Sequence, residues 1–403
     1  MRVQGVSTWF VLAAAGFVVL GSLLGFWLGR EGSQAPSAEL QGEIARARIE
    51  QVLEEGEVTV AGLEQRYQVW QATVIDGPHA GRMFELEYGR QSIAPVAPDL
   101  APGDQILVTI SPGPGGEPAA QFADYVRTPA LLILLATFVV VILGVSRWKG
   151  LRGLLRMALS LAVIVYFILP QILAGRDPVL VSILGFLGLL ASTLYLVYGW
   201  SWKTHTAVLG TLVALVLTGL LAAGFVGLGR LSGTGSEETL FLQQFVGRPI
   251  NLQGLLLGAM IIGALGVLDD LTISQVSAVF ELKRASPRLD LRSLYQRAMI
   301  IGQDHVAATV NTLVLAYVGA SLPLLLLFSL SAEPLVLAAN RAILAEEIVR
   351  TLVGSLGLVS AVPLTTGLAA WVATQAGSFP AWTAWLGAGP ESPEGGHGHA
   401  NGG

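Results

Sequence analysis

Two adjacent carboxylates interrupt a long apolar stretch of this sequence. In "GALGVLDDLTISQVS", Asp269 and Asp270 continue an apolar run that begins near Leu252. An ionised carboxylate in hydrocarbon is costly, so acids in such a run are candidates for binding a proton, an ion or a substrate. Ser274 lies one helical turn after Asp270 and adds a hydroxyl on the same side. The pattern predicts a polar site within a membrane-spanning helix.

The helix face that carries Asp270 consists of small and polar residues. Spacings of three and four place on one face Ala259, Gly263, Gly266, Asp270, Ser274 and Ser277. Because small residues let a second helix approach closely, we expect Asp270 to lie at a helix contact or beside a water-filled gap. Asp269 falls about 100° away on an apolar face, which is the poorer environment for a carboxylate.

A second polar cluster opens the next apolar run, "GQDHVAATVNTLVLAYVGASLP". Asp304 and Asn311 fall near one helix face, and we expect them to meet Asp270 across an interface of small residues. The predicted relay or substrate-binding set therefore comprises Asp269, Asp270, Ser274, Asp304 and Asn311.

The sequence offers few other groups for chemistry. It has no cysteine, and neither a metal-ligand spacing, a phosphate-binding loop nor a Ser/His/Asp set is recognisable. We therefore expect no metal, no cofactor and no enzymatic activity. Glu346 and Arg350 are four residues apart at the start of the last apolar run, and this spacing predicts a structural ion pair.

The elements that must position these residues are membrane helices. The chain is 53% hydrophobic and 13% charged, with a mean hydropathy of +0.64, which is typical of membrane proteins. Runs of about 20 apolar residues suffice to cross the bilayer. Eight runs predict an α-helical polytopic protein with about eight transmembrane helices, at residues 9–29, 129–146, 153–174, 179–199, 206–228, 251–273, 306–330 and 348–375.

The first of these runs has two interpretations. Residues 1–30 form an N-terminal transmembrane anchor or, alternatively, a cleaved signal peptide, since Arg2 precedes the run and "GSQAPSA" follows it. The run is longer than the apolar core of a usual signal peptide, which favours the anchor.

The region between helices 1 and 2 reads as a β-rich domain, residues 31–127. Its charged start, residues 38–57, is compatible with a short helix or an extended arm. The following alternation of apolar and polar residues, broken by turn residues, predicts a small β-barrel or β-sandwich of four to six strands. Residues 128–377 would then form a seven-helix membrane domain, and the low-complexity residues 378–403 a disordered tail.

One further segment predicts a helix outside the hydrocarbon. In "DLRSLYQRAMII", the apolar residues recur at helical spacing while Arg292 and Arg297 lie off that face. This pattern is typical of an amphipathic helix on the membrane surface.

Basic residues predict the orientation of the chain. Its three lysines, Lys149, Lys203 and Lys283, fall in alternate loops, and cytoplasmic loops are enriched in Lys and Arg. Both termini are then cytoplasmic and the β-rich domain lies outside, where a protein partner is conceivable. The net charge of −5 and the lack of a basic patch on that domain argue against nucleic acid as a partner.

Three segments resemble the YibE/F-like family of bacterial multi-pass membrane proteins: "GALGVLDDLTISQVSAVFEL", "GQDHVAATVNTLVLAYVGASLPLLLLF" and "EEIVRTLVGSLGLVSAVPLTT". The resemblance implies the bacterial cell membrane and an order of anchor, small extracytoplasmic domain and seven-span core. The family usually has a single acid where this chain has two, and alignment on "GALG" matches it to Asp269. The face argument prefers Asp270, so both residues stay candidates. The resemblance implies no biochemical activity.

Three functions compete at this point. A secondary transporter or exporter for a small solute or ion would use the acids as a proton or cation relay near the cytoplasmic face. A non-catalytic scaffold or assembly factor would instead bind a partner through the outer domain. An intramembrane aspartyl protease would pair Asp304 with one of the two acids, but "GQD" lacks the second glycine of the Gly-x-Gly-Asp signature.

Overall fold

The computed structural model describes residues 42–90, 99–113, 116–246, 249–331 and 333–375. The predicted first span, within residues 1–30, and the predicted tail, residues 378–403, lie outside this part of the chain. The described residues form two compact units that divide between Leu151 and Arg152.

The first unit is built on one antiparallel sheet of five strands. These are β1 (Glu43–Val60), β2 (Leu63–Val74), β3 (Met83–Tyr88), β4 (Gln105–Pro112) and β5 (Pro118–Tyr125). They lie in the order β3-β2-β1-β4-β5, so the long β1 is the central strand. Residues 38–57 were expected to form a short helix or an extended arm. The prediction of a helix is wrong. From Glu43 onwards the chain is a strand, in which buried and exposed side chains alternate.

The sheet curls around a core of aromatic side chains. Trp70 is fully buried and stacks on Tyr88 of β3, with ring centroids 6.0 Å apart. Tyr88 also meets Phe122 of β5 edge to face at 4.9 Å, so side chains join the two edge strands. The unit is therefore an antiparallel half-barrel, and the β-sandwich alternative is wrong because the strands of the described residues form a single sheet.

The hairpin of β1 and β2 extends beyond its neighbours as a two-stranded ribbon. β4 pairs with β1 only over Glu43–Arg48, and β3 pairs with β2 only over Gln68–Thr73. The pairs from Glu57↔Arg66 to Val60↔Leu63 thus have no third strand among the described residues. The exposed turn Ala61–Gly62 closes the ribbon, with φ angles of 51° and 84°.

Helices make up the rest of the described chain. They are α1 (Thr128–Trp148), α2 (Gly150–Leu173), α3 (Pro178–Tyr198), α4 (Trp202–Leu228), α5 (Glu237–Phe245), α6 (Leu252–Ala285), α7 (Leu291–Ala320), α8 (Leu322–Leu330), α9 (Leu335–Ala338) and α10 (Ala342–Gln375). Six of them, α1–α4, α6 and α10, are long and apolar enough to cross a membrane. α7 and α8 together pass the same test but are bent by 62° at their junction.

Short polar side chains fix where the helices start. Asp177 accepts a hydrogen bond from the Leu180 N–H at 2.9 Å and caps α3. Asn251 caps α6 in the same way through the Gly254 N–H at 2.8 Å. Such caps satisfy backbone donors that have no partner within the helix. α6 therefore begins at a defined point, which sets the positions of Asp269 and Asp270 along it.

Helices α4, α6 and α10 pack closely at the centre of the second unit. Gly210 of α4 lies against Thr365 of α10, and Gly357 of α10 lies against Thr218 of α4. Small residues permit this approach because no side chain separates the backbones. The buried residues of α6, including Leu268 and Val276, complete the core.

The predicted surface helix at "DLRSLYQRAMII" is wrong. These residues form the first turns of α7, which runs without a break from Leu291 to Ala320. Leu294 and Ala298 of the apolar stripe are fully buried in the protein core, whereas Leu291 and Ile301 at its two ends are exposed.

Candidate functional site

The two predicted acids share one arginine in the structure. Arg156 lies in the second turn of α2 and donates from Nη2 to Asp269 and from Nη1 to Asp270, the latter at 2.8 Å. Both carboxylates belong to α6, so a single guanidinium links α2 to two consecutive residues of α6. Arginine suits this role, because its planar fork presents several N–H donors in fixed directions.

The two acids differ sharply in exposure. The side chain of Asp269 is 2% exposed, whereas that of Asp270 is 70% exposed. Asp270 was predicted to lie at a helix contact or beside a water-filled gap, and the helix contact is not formed. The small-residue face of α6 is instead open along Ala259, Gly263 and Gly266, and α6 packs through the neighbouring apolar face that carries Asp269.

A cavity of about 440 Å³ adjoins this cluster. Its polar end is formed by Arg156, Asp269, Asp270 and Ser160. The remaining walls are mainly apolar and come from three helices: Met157, Ile164 and Ile168 of α2, Phe186 and Leu189 of α3, and Ile262 and Leu265 of α6. The cavity therefore combines a charged end with an apolar body.

One carboxylate oxygen beside this cavity has no partner. Oδ2 of Asp269 accepts the Arg156 hydrogen bond, but Oδ1 is buried and makes no hydrogen bond to any described residue. A buried acceptor without a donor costs free energy, and such groups in native structures call for an explanation. Asp269 lines the cavity, and its Oδ1 keeps an unused capacity to accept a hydrogen bond.

Local irregularities in the helices shape the cavity. α2 contains one π turn, Ile164–Ile168, shortly before Pro170, and both ends of this turn line the cavity. A π turn widens a helix locally and is frequent at functional sites. On α6, Gly266 faces the cavity, and a Cβ added there would meet no atom within 4 Å. Part of the volume exists because Gly266 has no side chain.

Buried polar side chains continue along α6 beyond the acids. Thr272 donates to the backbone carbonyl of Asp269 at 3.1 Å and shares a hydrogen bond with Thr211 of α4. Gln275 donates to the Ala298 carbonyl at 2.9 Å and to Thr366 of α10 at 2.8 Å. These bonds join α6 to three neighbouring helices and fix the rotation of α6 about its axis.

The structure leaves the other predicted site residues apart from the acids. Asp304 and Asn311 lie exposed on α7, and neither makes a hydrogen bond or ion pair with Asp269 or Asp270 in the part of the chain described. Ser274 is also exposed. α6 and α7 meet instead at the Gln275 amide, so the expected contact between Asp270 and Asp304 is not formed.

The predicted ion pair between Glu346 and Arg350 is also corrected. Arg350 pairs with Glu347 at 2.6 Å. Glu346 is buried and accepts hydrogen bonds from the N–H groups of Gly233 and Gly235, at 3.0 and 3.2 Å. Residues three apart and residues four apart both lie on one side of a helix, so Arg350 could pair with either Glu347 or Glu346.

Arg156 is a candidate site residue that was not predicted from the sequence. It lies within the apolar run predicted as the third span, and a charged residue in such a run points to a buried partner of opposite charge. In the sequence it closely follows Lys149, whose loop was used only to predict the orientation of the chain. Arg156 lies inside the predicted span 153–174 rather than before it, and this position could have identified it as a charged residue that needs a buried partner.

Comparison with known proteins identifies the family. A family model described as "YibE/F-like protein" matches residues 134–375, which is more than half of the chain and includes the whole Arg156–Asp269–Asp270 cluster. No curated protein and no solved structure matches the chain. The matched region and the long apolar helices make this a membrane protein, and the chain belongs to the YibE/F-like family.

Proposed function

We propose that this protein is a secondary transporter or exporter whose ion- or proton-linked site is the Arg156–Asp269–Asp270 cluster. The observation that carries the proposal is buried Asp269, which has an unpartnered Oδ1 and lines a cavity between the helices together with Arg156 and Asp270. Carriers place substrate and coupling-ion sites between membrane helices, at intramembrane carboxylates. Asp269 is the proposed coupling residue and Arg156 its positioning partner.

The proposal includes a location and a topology. The chain resides in a bacterial cell membrane and crosses it eight times, with both termini in the cytoplasm and the half-barrel outside. The distribution of Lys149, Lys203 and Lys283 supports this orientation. The protein acts without enzymatic chemistry and without a cofactor, and it moves a small solute or ion.

Cysteine labelling tests whether the cavity serves transport. The chain contains no cysteine, so Ile262→Cys and Gly266→Cys each introduce a single thiol in the cavity wall. Sealed vesicles of both orientations are treated with a membrane-impermeant thiol reagent. A carrier exposes its site to each side in turn, so we expect both thiols to react from both sides at unequal rates.

A matched control lies on the outer surface of the helices. Leu187 follows the cavity residue Phe186 on α3 but points away and is exposed, so Leu187→Cys should face lipid and stay unreactive. If neither cavity thiol reacts, or both react from one side only, the transporter proposal fails. The alternative of a scaffold or assembly factor with a dry helical core would then take its place.

A further inference from the structure

We infer that the cavity beside Asp269 binds an amphipathic organic cation, with its ammonium group at Asp269 and its apolar body between α2, α3 and α6. This inference rests on the proposed function, since it names the substrate class of the same site. Two observations carry it independently. One is the unpartnered, buried Oδ1 of Asp269, and the other is the apolar lining of the adjoining cavity.

The charges at the site favour a cation. Two carboxylates and one guanidinium line the cavity, so the cluster carries a net charge of about −1 when all three are ionised. Arg156 lies between two carboxylates whose combined charge exceeds its own, so the cluster disfavours an anionic ligand. An ammonium N–H at Oδ1 of Asp269 would form a charge-assisted hydrogen bond and supply the missing donor.

The walls favour an organic cation over a metal ion. Ca²⁺ and Mg²⁺ require about six oxygen ligands, and first-row transition metals prefer nitrogen or sulfur ligands as well. Among the described residues, no group of three His, Asp or Glu side chains lies close enough to hold a metal. Beyond Arg156, the two acids and Ser160, the lining is mainly hydrocarbon such as Ile164, Phe186 and Leu265, which suits an apolar body.

The size of the cavity sets the size of the ligand. A volume of about 440 Å³ lies within the range of small-molecule sites, roughly 300–1,000 Å³. An arylalkyl ammonium fits this volume, with its ring among the apolar side chains and its nitrogen at Asp269. Three probes share such a body and differ only in the head group: 4-phenylbutylammonium, 4-phenylbutanol and 5-phenylvalerate.

Direct binding to the full chain tests the inference. Radiolabelled 4-phenylbutylammonium is bound to the protein in lipid nanodiscs, and uptake by empty nanodiscs is subtracted. The alcohol and the carboxylate are then used as unlabelled competitors. We expect saturable binding, with the alcohol at least about tenfold weaker than the ammonium, because the alcohol carries no positive charge to pair with the carboxylates. We expect no competition by the carboxylate.

Two variants locate the binding, and a third is the control. Asp269→Asn should weaken ammonium binding at least about tenfold while the alcohol binds as before. Gly266→Leu places a side chain in open space within the cavity and should abolish binding of both probes without disturbing Arg156. Gly224→Leu adds the same side chain at an exposed position on α4, where a Cβ meets nothing within 4 Å, and should leave binding unchanged.

Specific results would overturn the inference. Equal affinity for the ammonium and the alcohol would show a merely apolar pocket, and preferential binding of the carboxylate would assign the site to an anion at Arg156. Binding that persists in Gly266→Leu would show that the ligand does not bind in this cavity. The absence of saturable binding would show that the protein does not bind this class of ligand. Thiol labelling from both sides without ammonium binding would contradict this inference but not the transporter proposal. Ammonium binding with labelling from one side only would contradict the transporter proposal but not this inference.

Discussion

Arg156 compensates the burial of Asp269, while Asp270 keeps most of its contact with solvent. A charge taken out of water is tolerated only with a partner of opposite sign. The contact with Asp269 therefore carries most of the energetic weight at this cluster, although Asp270 lies at hydrogen-bonding distance from the same guanidinium.

Removing the arginine should destabilise the helical unit. Arg156→Leu leaves Asp269 buried without a partner, and we expect the loss in unfolding free energy to be on the order of 3 kcal/mol. The double variant Arg156→Leu/Asp269→Leu should recover most of it, because two apolar side chains can replace a buried pair. Unfolding in mixed micelles measures both. A double variant no more stable than Arg156→Leu would contradict this account. Asp270→Asn is the control, and because the Asp270 carboxylate is exposed, we expect it to have little effect on stability.

The half-barrel holds a separate acid whose protonation should affect its stability. The backbone N–H and Nε–H of Arg46 donate to Asp76 at 2.7 and 2.6 Å, and these bonds hold the pKa of Asp76 below its ordinary value. A depressed carboxyl pKa stabilises the fold above the unfolded value of about 3.9, and this stabilisation disappears as the pH falls through the folded value.

Asp76→Asn should therefore reduce the acid sensitivity of this region. Between about pH 4 and pH 2, the unmodified chain should become more susceptible to pepsin within residues 42–90, and the variant should show a smaller change because it lacks the titrating group. Glu87→Gln, at an exposed position on β3, is the control. Identical pH profiles for the variant and the unmodified chain would exclude this role for Asp76.

At the scale of single residues, the sequence could predict the acids but not their partner. Apolar patterning identifies an out-of-place carboxylate such as Asp269, because the cost of burying it is independent of the fold. Which of two neighbours is buried depends on the rotation of α6. That rotation is set by tertiary bonds from Gln275 and Thr272, which have no local sequence signal.

At the scale of helices, α10 provides a matched pair of glycines. A Cβ on Gly357 would collide with Thr218, whereas a Cβ on Gly354 would make only an ordinary contact with Leu313 at 3.9 Å. We expect Gly357→Ala to cost about 1–3 kcal/mol by overpacking, and Gly354→Ala to be neutral or stabilising by up to about 1 kcal/mol. Thermal unfolding of both variants measures the difference, and equal effects would mean that α4 and α10 do not pack through Gly357.

Glu346, near the start of α10, accepts hydrogen bonds from the backbone of the segment that follows α4. Glu346→Ala removes the acceptor of two N–H groups, at Gly233 and Gly235, and we expect faster hydrogen exchange over residues 229–236. Glu347→Gln breaks only the pair with Arg350 and should leave that exchange unchanged. Slow exchange retained in Glu346→Ala would show that other contacts hold the segment.

The elements themselves were largely predictable. Seven of the eight apolar runs correspond to described helices or to the bent pair α7 and α8, because hydrocarbon demands long apolar segments. The errors concern segments whose partners are distant in sequence. The stripe with Leu294 and Ala298 has the same periodicity whether it packs on lipid or on protein, and β1 is a strand only because β2 and β4 flank it.

At the scale of the molecule, the two units have separate cores. Trp70→Ala should cost about 3–5 kcal/mol in the half-barrel, because the cavity cannot close around the missing ring. We expect faster hydrogen exchange in peptides from residues 42–90 and no change in residues 252–285. Leu268→Ala, in the helical core, should give the opposite result. Coupled changes in both regions would show one cooperative unit.

The ribbon formed by the ends of β1 and β2 makes the orientation of the chain measurable. Its turn, Ala61–Gly62, is exposed, and a side chain added at Gly62 would contact no other atom within 4 Å. An epitope or a protease cleavage sequence inserted there should leave the sheet intact, since exposed turns tolerate insertions. Antibody binding to intact spheroplasts, compared with lysed ones, would then report on which side of the membrane the half-barrel resides, without altering any basic loop.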